Sequence, residues 1–296
     1  MTEMFAEGYT YAHEHIRNSK DRMKVTDDVI VDVTQAHLDE LRELYKKGVR
    51  NIFEVTTKGS GDDPRYTMDI AKETGINIVL STGFYKEPLL PEYFYKMSEG
   101  DIVELFVKEI TVGINDTEYK AGIIGEVGSG RDIITEAERR LLAAAAKASV
   151  ETGNTPIYTH ASYGTMGLEQ IEILSGNGAM LNRVIIGHQD VSYNPQYTLN
   201  LLGRGVYIGI DTIGKQNYIT DEQRLSIVLK CLDAGYEDKI VLSMDISRQH
   251  NMKFKGGIGY SYLLDVFLPM LEDNGVSKAV INKLMVTNPK TWLLGS

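Results

Sequence analysis

The stretch "GYTYAHEH", Gly8–His15, places two histidines one residue apart at the end of an apolar and aromatic run. In a helix, residues two apart point to nearly opposite sides; in a strand they share a face. Read as a strand, His13 and His15 converge on one point, where a metal ion would be a natural occupant. Seven further short β-rich segments follow: "RNIFEVT" (50–56), "INIVLSTG" (76–83), "KAGIIGEVG" (120–128), "PIYTHAS" (156–162), "RVIIGHQD" (183–190), "VYIGIDT" (206–212) and "KIVLSMDIS" (239–247). Most are continuous apolar runs, as expected of parallel strands buried on both faces.

Amphipathic stretches lie between them. "TQAHLDELRELYKKG" (34–48) is one; "TEAERRLLAAAAKASVETG" (135–153) is another, with Thr135 and Glu138 spaced as a capping box and Gly153 as the stop. Eight strands alternating with helices predict a (β/α)8 barrel. A doubly wound open sheet would normally carry a glycine-rich phosphate turn after its first strand, and "AHEHIRNSK" (12–20) has none. No linker or low-complexity tract divides the chain, so one domain spanning 1–296 is expected. The segment "SKAVINKLMVTNPKTWLLG" (277–295) reads as a terminal helix and tail packed on the barrel.

Composition narrows the function. With 31 Lys and Arg against 41 Asp and Glu, the net charge is −10, which argues against a surface that coats nucleic acid. Cys231 is the only cysteine, so an intrachain disulfide and a thiolate metal cluster are both excluded. No apolar run is long enough to span a bilayer and "MTEMFAEGYTYAHEH" lacks a signal-peptide pattern, so a soluble cytoplasmic protein is expected.

The apolar strands finish in polar residues of a restricted kind: His13 and His15 on the first, Glu126 on the fourth, His160 on the fifth, His188 on the sixth, Asp245 on the eighth. In a barrel all of these ends open on one face, where active sites form. Any one of the six could be a hydrogen-bonded core residue, a buried ion pair or a helix cap. Together they would bury six ionisable groups in one space, at several kcal/mol each without a counter-ion. Divalent cations remove that cost and suit imidazole plus carboxylate. Six ligands exceed the three usual at one catalytic zinc, so two ions are expected, with Glu126 bridging. His37, in a helix, and His250, in a loop, fall outside the pattern.

This ordered set resembles the phosphotriesterase branch of the amidohydrolase superfamily over nearly the whole chain. It is most similar to the phosphotriesterase homology proteins, on "GVRN" (48–51), "AGIIGE" (121–126), "TMGLEQ" (165–170), "GIDTIGK" (209–215) and "LSMDI" (242–246). The resemblance implies a TIM barrel with a binuclear, usually zinc, centre. His13, His15 and Asp245 would hold the buried ion, His160 and His188 the more exposed one, and Glu126 with a hydroxide would bridge them. Phosphotriesterase itself bridges with a carboxylated lysine; here Lys120 falls at the opposite end of the fourth strand. Some relatives hydrolyse lactones, including sugar lactone phosphates.

Two metals would generate a hydroxide nucleophile at neutral pH, with Asp245 as proton acceptor. No GxSxG elbow is present. Lys215, Arg248 and Tyr260, with Tyr262 as an alternative hydroxyl, follow the last two strands and are expected to meet a small anionic substrate. The loop "FYKEPLLPEYFYKMSEG" (84–100) is either a lid or a packing surface for a second subunit, which would make a homodimer. The leading function is hydrolysis of a lactone, with a phosphorylated sugar lactone first. A phosphoester hydrolase with the same centre and a non-catalytic metal-binding protein are the alternatives.

Overall fold

A computed structural model describes residues 4–18, 28, 33–161 and 163–295. All eight expected strands form: β1 (Tyr9–Glu14), β2 (Val49–Glu54), β3 (Asn77–Thr82), β4 (Ile123–Gly128), β5 (Ile157–His160), β6 (Val184–Gly187), β7 (Tyr207–Ile210) and β8 (Ile240–Leu242). Each pairs in parallel with the next in sequence order, and helices fill the connections, which makes a (β/α)8 barrel. The core strands are buried along nearly their whole length, the reason they read as unbroken apolar runs.

The principal outer helices are α1 (Gln35–Lys46), α2 (Pro64–Thr74), α3 (Glu99–Thr111), α4 (Glu136–Glu151), α5 (Met166–Gly176), α6 (Pro195–Leu202) and α7 (Asp221–Asp233). The capping box forms at α4: Thr135 accepts from Glu138 N, and Glu138 accepts from Thr135 N. The chain leaves that helix through Gly153 at φ 75°, a left-handed backbone that glycine adopts without strain. After β8, a long loop leads to α8 (Leu268–Asp273), α9 (Lys278–Asn282) and α10 (Asn288–Leu294).

The expected terminal packing has a specific target. Trp292, fully buried on α10, enters the barrel interior, with its ring 5.6 Å from Phe53 and 6.0 Å from Tyr158. Tyr158 stands on this layer and reaches upward, its ring 4.9 Å from that of His13. The apolar interior therefore ends directly beneath the polar residues of the strand ends. No helix among the described residues is long and apolar enough to cross a membrane.

Candidate metal centre

Strand direction delivers His13, His15, Glu126, His160, His188 and Asp245 to the C-terminal mouth, all nearly or fully buried. Their ligating atoms form two adjoining groups, His13/His15/Asp245 and Glu126/His160/His188, each with atoms within 4.8 Å of one another. His15 Nε2 lies 3.3 Å from Asp245 Oδ1 and 3.6 Å from Glu126 Oε1; His13 Nε2 lies 3.7 Å from Glu126 Oε2. Glu126 Oε2 is also 2.7 Å from His160 Nδ1, so its carboxylate touches both groups. His188 and Asp245 hold left-handed backbones, at φ 60° and 50°, that non-glycine residues adopt at a cost and that recur at functional sites.

Surrounding residues aim these side chains. His15 Nδ1 is 2.8 Å from Thr56 Oγ1, which leaves Nε2 facing the carboxylates. Thr56 N and Ile16 N donate to the buried Glu54, fixing the backbone on both sides of that contact. Asp211, the first residue after β7, is fully buried 3.6 Å from His13 Nδ1 and 3.1 Å from His188 Nδ1. It accepts from Tyr158 Oη at 2.6 Å and from His188 N. Gly187 and Gly209 make room for that contact: a Cβ on Gly209 would meet Tyr158 Oη at 2.5 Å and Asp211 Oδ2 at 2.6 Å. A metal-ligating histidine normally places its second ring nitrogen against such a carboxylate or hydroxyl.

The residues fit divalent cations. Both ring nitrogens of His13 are buried with no hydrogen-bond partner among the described residues, although buried polar atoms are ordinarily satisfied. Burial pushes His13 down to about 3, keeping it a neutral donor, and pushes Glu126 up to about 7. Burial also acts to lower His15, but the hydrogen bond and charge of Asp245 and the charge of Glu126 raise it to about 9. Perturbed groups of this kind cluster at functional sites.

Above the cluster opens a cleft of about 540 Å³. Lys86, Lys215 and Arg248 line it with Tyr85, Tyr163 and Tyr218; Leu89 and Val191 are its aliphatic members. Lys215 and Arg248 thus reach the mouth. Tyr260 does not: it is fully buried, its ring stacked 5.5 Å from His37 of α1 and its hydroxyl 3.1 Å from His37 Nε2. The loop after β8 folds back over β1 and α1 and carries Tyr260 away from the cleft. Tyr262 donates to Asp221 at 2.8 Å and buttresses the loop after β7 instead. His250, in the loop after β8 and outside the strand-end pattern, lines the cleft rim and pairs with Asp28.

In the loop after β3, Tyr85, Lys86 and Leu89 face the cleft while Phe94 anchors against Phe84. Tyr85 Oη lies 3.0 Å from His160 Nε2. Lys120 lines a larger groove, about 700 Å³, at the barrel's N-terminal end, alongside Asn77 and Arg183. Among the described residues that groove contains no cluster of metal-ligating side chains.

Parallel barrel, buried imidazoles and two carboxylates at the C-terminal mouth define a class, the barrel proteins equipped to hold divalent cations. The chain belongs to the phosphotriesterase family, whose model matches residues 2–293. It is 39% identical over 285 residues to the phosphotriesterase homology protein of Escherichia coli, covering 96% of this chain and 97% of that one. The crystal structure of that protein, with phosphate in its active site, superposes with a TM-score of 0.95 over 98% of this chain and 100% of that one. A lactonase from Listeria monocytogenes is 28% identical with a TM-score of 0.92, covering 98% and 95% of the two chains. An aryldialkylphosphatase from Saccharolobus solfataricus is 30% identical over 298 residues, 96% of this chain and 94% of its own.

Proposed function

We propose that the protein is a metal-dependent hydrolase of ester bonds that uses two divalent ions, zinc foremost, and opens a small anionic lactone. The observation that carries this is the pair of adjoining donor groups, His13/His15/Asp245 and Glu126/His160/His188, at the floor of a polar cleft. Bound there, two such ions would activate water at neutral pH and polarise a carbonyl or phosphoryl oxygen.

The protein's own groups account for the remaining tasks. Asp245 is the group that takes the proton from the attacking water, and its Oδ2 is held 2.5 Å from Lys215 Nζ. Tyr85 Oη, beside His160, is placed to donate to an oxygen of the substrate. Lys86 and Arg248 line the cleft walls and give an anionic substituent charge-assisted contacts. Such contacts to a part of the substrate that does not react orient the ring for attack. The lactonase relative supports the carbonyl substrate, and the phosphate in the E. coli relative's site supports an anionic one.

Phosphoester hydrolysis is the second reading, favoured by the aryldialkylphosphatase relative. Parallel assays of zinc-loaded protein on lactones, phosphorylated lactones and aryl phosphotriesters separate the two. Turnover of phosphorylated lactones with at most weak phosphotriester cleavage is expected; the reverse order would install the second reading. Zinc bound at stoichiometry without turnover of any of them would leave a metal-binding protein.

A further inference from the structure

The strand ladder runs from β1 through β8, and among the described residues no ladder joins β8 back to β1. Side chains, with one backbone hydrogen bond, close that seam instead. Ser243 Oγ accepts from His13 N at 3.0 Å and lies 2.8 Å from both His13 O and Glu14 Oε1. Glu14, the last residue of β1, stands between His13 and His15, so strand alternation sends its side chain to the other face. It is fully buried and has no Lys or Arg within ion-pair distance among the described residues.

Its contacts have a pattern. Oε1 also accepts from Met244 N at 2.9 Å, and Oε2 accepts from Ile246 N at 2.7 Å. These amides flank Asp245 on both sides, while Asp245 N donates to His13 O at 3.3 Å. Asp245 is the residue with φ 50°. One carboxylate thus grips the peptide units that enter and leave this left-handed turn.

We propose that Glu14 is a positioning residue for the site formed by His13, His15 and Asp245, clamping the Asp245 turn onto β1. The inference rests on the two-ion reading given above. A carboxylate suits this position because both oxygens are acceptors; the amide nitrogen of a glutamine would face at least one backbone N–H. Apolar packing alone would close the seam without the cost of a buried acid.

The test is a Zn²⁺ titration of the metal-free full chain against a competing chromophoric chelator. It compares wild type with Glu14→Gln, Ser243→Ala and Ser149→Ala. Ser149 donates to Thr155 O on the far side of the fold, so its variant controls for loss of an unrelated buried hydrogen bond. Loss of a residue that orients metal ligands typically weakens binding by about 10–100-fold. Glu14→Gln should weaken one of two binding steps by that factor and spare the other. His15→Ala should abolish the same step and so identify it. Ser243→Ala should shift that step as well, and it carries the test should Glu14→Gln fail to fold; Ser149→Ala should shift neither.

A Glu14→Gln protein with a lower melting temperature but both steps unchanged, or with both weakened equally, would overturn the clamp. A single step in wild type would overturn the two-ion reading instead. The clamp would then stand or fall on whether Glu14→Gln weakens that step.

Discussion

Lys215 Nζ lies 2.5 Å from Asp245 Oδ2, so this cation is already paired with a carboxylate of the buried cluster. The loop that carries it is held from behind: the fully buried Arg224 donates to Lys215 O, Asp190 and Asp221. Burial acts to raise Asp245, but the charge of Lys215 and the hydrogen bonds of His15 and His188 hold it well below the usual carboxylate range.

Removing this lysine should therefore damage turnover of every substrate. Lys215→Ala is expected to lower kcat/KM on neutral and phosphorylated lactones alike by about 10–100-fold, the worth of a charge-assisted hydrogen bond. Arg248→Ala, farther up the cleft wall, should penalise the phosphorylated substrate alone. Steady-state kinetics on matched pairs check both. A loss with Lys215→Ala confined to phosphorylated substrates would return that lysine to substrate binding.

Metal content follows from the two donor groups. Elemental analysis of zinc-loaded protein should give two ions per chain, falling to one in His160→Ala. A wild-type stoichiometry of one, unchanged by that substitution, would refute the binuclear centre.

The bridging ligand makes a separate prediction. Glu126 reaches both donor groups, whereas Lys120 lies at the opposite end of the barrel. A lysine carbamate needs dissolved carbon dioxide; a glutamate does not. Reconstitution of metal-free protein with zinc should proceed equally with and without bicarbonate, read as recovered activity and metal content. A strong bicarbonate requirement would contradict Glu126 as the bridge.

The residue cluster at the mouth was legible in the sequence because it obeys a topological rule: in a parallel barrel the C-terminal ends of all the strands open on one face. Asp211 follows β7 directly in "GIDT" and was there to be read by the same rule. Tyr260 failed because it lies 18 residues beyond the end of β8, in a loop whose path depends on His37 and Tyr11, more than 220 positions away. Alternation alone sends Glu14 to the face opposite the histidines. Its partners, at separations of 229 to 232 residues, exist only once the barrel closes. Pairing of Lys215 with Asp245 is likewise a product of closure, since sequence places both residues at the mouth without saying that they touch.

The last prediction concerns stability, through a histidine that lies away from the centre. His37 on α1 is almost fully buried against Tyr260, and burial pushes it from 6.5 down to about 4. In the folded protein it stays neutral down to that pH, whereas in the unfolded chain it takes up a proton below about 6.5. The unfolded state therefore binds more protons between these values, and stability falls as the pH drops through the window. The contribution is fully present above pH 6.5 and is lost by about pH 4, an upper bound of about 3 kcal/mol for the whole shift. The histidines and carboxylates of the buried cluster titrate too, so the comparison must cancel them. Denaturant unfolding of wild type and His37→Gln at pH 8 and pH 5 does so. Gln keeps a group able to hydrogen-bond Tyr260 but carries no titrating proton. Wild type should lose about 2 kcal/mol more than the variant between the two pH values. Equal losses in the two proteins would show that His37 is protonated in the fold, or reached by water, and that its burial does not govern acid stability.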